Sequence, residues 1–76
     1  MKTIKISLNS IDKVKSFVNT ITKYDYDFDL GSGRYVIDAK SIMGIFSLDL
    51  SRPIDLTIHT DNDVESVLED LKPYMV

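Results

Sequence analysis

Strict alternation of apolar and polar residues constrains the fold of this chain more than any other feature. Three runs alternate, covering residues 3–8, 24–30 and 54–59. A period of two is typical of strands that bury one face and leave the other in water. Residues 34–38 are rich in β-forming side chains and predict one more strand, and the intervening Gly31-Ser32-Gly33 is permissive for a hairpin turn. The sequence therefore predicts four strands with one wet face.

Apolar residues spaced three and four positions apart predict helices between these strands. The first is expected over residues 11–23, the second from Ser41 to residues 48–50, and the third after Asn62, which has capping-box spacing to Glu65. The order is β-α-β-β-α-β-α. Because each strand has only one dry face, we expect all three helices to cover that face in an α+β, two-layer open-faced sandwich. The residues leave two sheet orders open, of which the ferredoxin-like arrangement is the generic expectation.

Composition narrows the classes of protein and of ligand. The 76 residues are expected to form one domain, 1–76, and their 43% hydrophobic content is typical of a globular chain. The absence of cysteine and of a signal-peptide-like apolar region predicts a cytoplasmic location. A net charge of −3 argues against nucleic-acid binding, and no run reaches membrane-spanning length. One histidine and scattered aspartates give no metal-ligand spacing, so neither metal nor cofactor is expected.

The predicted second helix is apolar in too many directions for one buried stripe. Its apolar residues are Ile42, Met43, Ile45, Phe46 and Leu48. Some of them must therefore lie on the surface, beside a serine hydroxyl at the start of the helix. An exposed apolar patch on a small domain is typical of a protein-binding site.

Lys40-Ser41-Ile42-Met43-Gly44, followed by Ile45-Phe46-Ser47-Leu48, closely resembles the regulatory-serine segment of HPr, the histidine-containing phosphocarrier of the bacterial sugar phosphotransferase system. Thr22-Lys23-Tyr24-Asp25 and the strand–helix ending fit the same family in order and spacing. The resemblance implies an antiparallel four-stranded sheet of order 1-4-2-3, and we adopt that order.

The same resemblance has implications for function. It implies that Ser41 is phosphorylated by a dedicated ATP-dependent kinase, after which such proteins bind a catabolite-control transcription factor. It also implies that Ile42, Met43 and Phe46 are docking positions for protein partners, while Ile45 and Leu48 face the core. Without the resemblance, Ser41 is explained as a simple helix cap.

The phosphoacceptor signature of the family is missing. HPr carries phosphate on a histidine at the start of its first helix, followed after one residue by arginine and then proline. Counting back without a gap places Ser10 at the histidine position, Asp12 at the arginine position and Lys13 at the proline position. A hydroxyl offers no neutral imidazole nitrogen near pH 7, and a carboxylate repels a phosphoryl group. The predicted active site is therefore degenerate, with no catalytic residue, and Ser10 is expected to be an N-cap.

His59 is the only other candidate for a phosphate carrier. Its phase with Asp55 and Thr57 predicts a surface histidine on the wet face of the sheet. The sequence thus predicts a non-enzymatic, HPr-like protein related to the phosphotransferase system, acting as a protein-binding or regulatory module through Ser41 and the adjacent apolar helix. Its partners would be phosphotransferase-system or transcription-regulatory proteins. The alternatives are a seryl phosphoacceptor at Ser41 and a purely structural or oligomerising domain.

Overall fold

The computed structural model describes residues 1–76. In chain order, the elements are β1 (Lys2–Ile6), α1 (Ile11–Ile21), β2 (Asp27–Ser32), β3 (Tyr35–Asp38), α2 (Ile42–Phe46), β4 (Ile54–His59), α3 (Val64–Leu71) and a 3₁₀ turn (Lys72–Tyr74). This is the predicted β-α-β-β-α-β-α order. No helix has the length and the apolar character that crossing a bilayer requires.

The four strands form one antiparallel sheet in the order β1-β4-β2-β3. In register, Lys2 lies opposite Ile58, and Ile6 lies opposite Ile54. This order confirms the one implied by the family resemblance and decides between the two orders that the residues left open. β1 and β3 are the edge strands.

The core lies between one face of the sheet and the three helices. Its sixteen members are all apolar or aromatic: Ile6, Leu8, Val14, Phe17, Ile21, Phe28, Leu30, Ala39, Ile45, Leu48, Ile54, Leu56, Ile58, Val67, Leu71 and Tyr74. Alternate positions of β4 and of β2 contribute to it, as the period-two pattern predicted. The opposite face of the sheet carries mainly polar residues, with Val36 of β3 as an exposed apolar exception, which confirms the two-layer open-faced sandwich.

Several element boundaries differ from the sequence prediction. α1 ends at Ile21, two residues earlier than expected, and α2 ends at Phe46. The early end of α2 has a local cause, because both the hydroxyl and the N–H of Ser47 donate to the carbonyl of Gly44. Such i→i+3 bonds tighten the last turn and compete with further helical bonding.

The hairpin between β2 and β3 turns one residue later than the glycine cluster suggested. Ser32 still belongs to β2 and lies opposite Tyr35, so only Gly33 and Arg34 form the loop. Gly33 has a φ of +60°. Positive φ at the first of two loop residues is the pattern of a type II′ turn, in which glycine avoids the strain of a Cβ.

The predicted capping box of α3 does not form. The N-cap is Asp63, not Asn62, and it has a left-handed φ of 55°. Its carboxylate does not cap the helix but accepts a hydrogen bond from the Tyr26 hydroxyl at 3.0 Å. Tyr24 donates its hydroxyl to Asp70 in the same helix, and the two tyrosine rings stack 6.1 Å apart. The two tyrosines that alternation assigned to β2 instead connect the α1–β2 segment to α3.

Tyr24 gives the fold a dependence on alkaline pH. Its hydrogen bond to Asp70, with desolvation and the charge of that carboxylate, raises the pKa of Tyr24 to about 12 from an ordinary value of about 10. As pH rises, Tyr24 therefore ionises in the unfolded chain before it ionises in the folded chain. The contribution of its hydrogen bond to stability is complete below pH 10 and is lost as pH rises through 12. We expect the free energy of unfolding, measured with urea, to fall between these values.

Two phenylalanine substitutions separate this effect from general alkaline denaturation. Tyr24→Phe should reduce the slope of stability against pH above pH 10. Tyr35→Phe is the matched control, because Tyr35 is exposed and its hydroxyl bonds to no residue of the chain. Equal slopes in the wild type and Tyr24→Phe would contradict this role of the Asp70 hydrogen bond.

Candidate functional site

The start of α1 is the first part of the candidate site. Ser10 has an extended backbone (φ −148°, ψ 156°), and its Oγ accepts a hydrogen bond from the Lys13 N–H at 3.1 Å. This geometry confirms the prediction that Ser10 is an N-cap. Asp12 lies in the first turn, where its carboxylate balances the positive end of the helix dipole. The hydroxyl therefore satisfies a helix donor, and the Asp12 carboxylate repels an incoming anion.

The only histidine of the chain lies elsewhere. His59 is the last residue of β4, on the wet face, with Nε2 2.6 Å from Asp29 Oδ2 and with Asp27 directly opposite. The first residue of β4, Ile54, pairs with Ile6, from which the chain leads into α1. The six residues of β4 give five residue-to-residue rises, which separate its two ends by roughly 16 Å. The structure thus does not bring the imidazole of His59 close to Ser10. The surface position of His59 agrees with the sequence prediction.

Ser41, at the start of α2, is the second part of the site. It is an exposed N-cap whose Oγ accepts from the Gly44 N–H at 3.2 Å. The turn before it is held by Asp38, whose carbonyl accepts from the Ser41 N–H at 3.0 Å and whose Oδ1 accepts from the Lys40 N–H at 2.9 Å. The hydroxyl is therefore presented to solvent from a hydrogen-bonded turn.

Lys40 anchors this turn to the rest of the fold. Its Nζ donates to the Tyr24 carbonyl at 2.7 Å and lies 5.6 Å from the centroid of the Phe28 ring, within the range of a cation–π interaction. In the sequence Lys40 is recognisable only as part of the Ser41 motif, and this role is not predicted. No sequence signal could have indicated it, because the acceptor is a backbone carbonyl sixteen positions earlier.

Gly44 makes room for the serine hydroxyl. A Cβ at this position would lie 3.2 Å from Ser41 Oγ and 3.1 Å from Ile37 Cδ1, both closer than ordinary van der Waals contact. From the sequence alone, the only expected effect of Gly44 is a lower helix propensity. The close approach of α2 to β3 shows why this position favours a residue without a side chain.

Apolar side chains of α2 divide between core and surface. Ile45 and Leu48 are buried, as predicted. Met43 is 79% exposed and Phe46 is 44% exposed, while Ile42 is half-buried against the core. We call Ile42, Met43 and Phe46 the α2 patch. It lies immediately after the Ser41 hydroxyl, so a protein that contacts one would be close to the other.

These features together define a small α+β sandwich with a capped helix start and a serine beside an apolar patch. A family model described as "PTS HPr component phosphorylation site" matches residues 13–75. The chain therefore belongs to the HPr family, and it is an HPr-like protein related to the phosphotransferase system. HPr is a phosphocarrier rather than a catalytic enzyme. The matched segment begins after Ser10 and Asp12.

Two solved structures show the same fold. One is HPr-C-His from Thermoanaerobacter tengcongensis, with 28% identity and a TM-score of 0.78 over 96% of this chain and 89% of that one. The other is a phosphocarrier protein HPr from Bacillus anthracis str. Ames, with 28% identity and a TM-score of 0.72 over 99% of this chain and 94% of that one.

Proposed function

We propose that this chain is an HPr-like protein that does not carry phosphate on histidine and acts as a protein-binding or regulatory module. The single observation that supports this most strongly is the position of His59. The one imidazole of the chain, bonded to Asp29, lies at one end of β4, roughly 16 Å along the strand from Ile54, which pairs with the last residue of β1, the strand that precedes α1. Ser10 instead caps α1. A serine hydroxyl lacks the neutral nitrogen nucleophile that phosphohistidine chemistry needs.

Charge at the start of α1 supports the same proposal. A helix N-terminus attracts a phosphoryl group when its N–H groups are free and a cation is near. Here the Lys13 N–H already donates to Ser10 Oγ, and Asp12 adds a negative charge to the first turn. The Asp12 carboxylate, at the position where the family has arginine, would repel a dianion, and this repulsion opposes phosphate carriage.

The proposed binding surface is the α2 patch. Met43 and Phe46 expose apolar side chains that the core does not need, and an exposed apolar patch beside polar groups is typical of protein-binding sites. Met43 adds a flexible, polarisable side chain that adapts to the shape of a partner. The proposed partners are phosphotransferase-system or transcription-regulatory proteins, which places the chain in the cytoplasm.

The second candidate function is a seryl phosphoacceptor, and the exposure of Ser41 favours it. Ser41 Oγ would attack the γ-phosphorus of ATP on an HPr kinase-type enzyme. The new Oγ–P bond forms as the bond between the γ-phosphorus and the bridging oxygen breaks, ADP leaves, and the hydroxyl proton passes to a base of the kinase. The resulting phosphate would accept hydrogen bonds from N–H groups in the first turn of α2.

A phosphotransfer assay tests the first proposal. Incubated with phosphoenolpyruvate and the first enzyme of the phosphotransferase system, the chain should acquire no acid-labile phosphate, since no imidazole lies at the start of α1. A histidine-containing HPr serves as the positive control, and His59→Gln serves as the matched variant. Phosphate that appears in the wild type and is lost in His59→Gln would contradict the proposal.

Mass spectrometry tests the second candidate function. After incubation with an HPr kinase-type enzyme and ATP, we expect the mass of one phosphoryl group to be added at Ser41. Ser41→Ala should remain unmodified, and Ser10→Ala, which removes the other capping hydroxyl, should be modified like the wild type. An unmodified wild type under conditions that modify a control HPr would rule out this candidate.

A further inference from the structure

The edge strand β3 exposes apolar side chains. Tyr35 is 72% exposed and Val36 is 69% exposed, and both lie in a strand that has a neighbouring strand on only one side. Natural edge strands are usually protected by charges, proline, bulges or a covering segment, because their free backbone groups pair with other strands. At the other edge, the Val76 N–H donates to the Lys5 carbonyl and Met75 bridges to Ile6. β3 is therefore the open edge of the sheet.

β3 has backbone N–H and C=O groups on its outer side that can pair with another strand. Residues of an antiparallel strand direct their N–H and C=O groups alternately to either side. The Ala39 N–H donates to the Phe28 carbonyl of β2 at 2.8 Å. The odd-numbered residues of the segment therefore face β2, and the N–H and C=O of Val36 point away from it. The Asp38 N–H points the same way.

We propose that this edge of β3 pairs with the same edge of a second copy of the chain across a two-fold axis centred on Val36. In that antiparallel register, Val36 lies opposite Val36 and its two outward backbone groups form a reciprocal pair of hydrogen bonds. Tyr35 lies opposite Ile37, so aromatic and β-branched side chains meet on the helix-covered face. The result is a continuous eight-stranded sheet.

Charge fixes this register. With Val36 on the axis, Arg34 of each copy, the hairpin-loop residue just before β3, comes next to Asp38 of the other. Arg34 makes no ion pair within its own chain. Asp38 uses only Oδ1, in its bond to the Lys40 N–H. Each dimer therefore gains two opposite-charge pairs, and a one-residue shift would lose both.

The dimer is a separate proposal from the proposed function, because it rests on the backbone edge and side chains of β3 and not on the α2 patch or Ser41. The interface is one short strand, so we expect a reversible dimer rather than an obligate one. Sedimentation velocity over a dilution series, up to roughly 1 mM protein, should show a monomer–dimer equilibrium.

Charge reversal provides the decisive test. Arg34→Asp and Asp38→Arg should each weaken self-association by roughly tenfold or more, because each places like charges opposite one another twice. An equimolar mixture of the two variants should form a heterodimer, since both cross-pairs are then of opposite charge. Lys15→Asp makes the same change of charge on the exposed face of α1 and should leave self-association unchanged.

A backbone variant tests the strand pairing itself. Val36→Pro removes an N–H that bonds to no residue of β2, so the fold should survive, as far-UV circular dichroism can verify, while the dimer is lost. Phe46→Ala should dimerise like the wild type. Three results would overturn the proposal: a wild type that stays monomeric at every concentration, charge variants that do not recombine, and dimers lost in Phe46→Ala but kept in Val36→Pro.

Discussion

The combined substitutions Ser10→His, Asp12→Arg and Lys13→Pro are expected to let the chain accept a phosphoryl group that the wild type does not carry. Imidazole at the N-cap of α1 would offer a nitrogen that is neutral near pH 7. A guanidinium two residues later would contact phosphoryl oxygens with paired N–H donors, where the carboxylate now repels them. The change expected is from no labelled protein to a stable labelled fraction.

The fold should tolerate the three changes. The Lys13 N–H has no acceptor within the helix and bonds only to the Ser10 hydroxyl, so proline in this first turn removes no helical hydrogen bond. Loss of the serine cap should cost about 1 kcal/mol. No buried residue is altered, since Ser10, Asp12 and Lys13 are all exposed.

The measurement is acid-labile phosphate after incubation with phosphoenolpyruvate and the first enzyme of the phosphotransferase system. Ser10→His alone should be labelled less than the triple variant, because Asp12 still opposes the phosphoryl group. Adding His59→Gln to the triple variant should not change its labelling. A folded triple variant without label would show that the three positions do not correspond to the histidine, arginine and proline of HPr.

Local periodicity predicted most of the fold. Alternation along Ile54–His59 and the apolar stripe Val14, Phe17 and Ile21 both correspond to observed elements, because one buried face is a property of each element separately. The sheet order is a property of the whole chain. The sheet order was predicted from the family resemblance, because neither the strand periodicity nor the helix periodicity indicates which strands are neighbours.

The wrong predictions occur where distant contacts compete with a local pattern. Tyr24 and Tyr26 alternate with acidic residues like a strand, but their hydroxyls bond to Asp70 and Asp63 of α3, and β2 begins only at Asp27. The hydrogen bond from Tyr26 occupies the Asp63 carboxylate, and Asp63 has a left-handed backbone. Asp63 is the N-cap of α3 in place of Asn62, so the expected capping box does not form. Both errors therefore have one tertiary cause.

The two helix caps of the candidate site were predictable from the sequence, but the contacts that support them were not. Ser10 and Ser41 were identified as helix caps because capping depends on a residue and its next three neighbours. The space that Gly44 leaves for the Ser41 hydroxyl depends on Ile37 of β3, and the anchor of Lys40 depends on the Tyr24 carbonyl. Such supports follow only from the packed structure.

Two phenylalanines of this chain should lose very different amounts of stability on the same substitution. Phe17 is fully buried and packs edge-on against Tyr74, with ring centroids 5.7 Å apart. Phe17→Ala should lower the free energy of unfolding by about 3–5 kcal/mol, through lost burial and the cavity that remains. A chain of 76 residues has a total stability of roughly 4–11 kcal/mol, so this variant should lose a large part of its stability.

Phe46→Ala is the matched control, because the substitution is chemically identical but the side chain is 44% exposed in the α2 patch. Its cost in urea unfolding should stay below about 1 kcal/mol, while binding to a protein partner should weaken. The two variants thus separate packing from recognition. A loss of stability in Phe46→Ala as large as that in Phe17→Ala would place Phe46 in the energetic core. The α2 patch would then be part of the packing, and the proposed binding function would lose its surface.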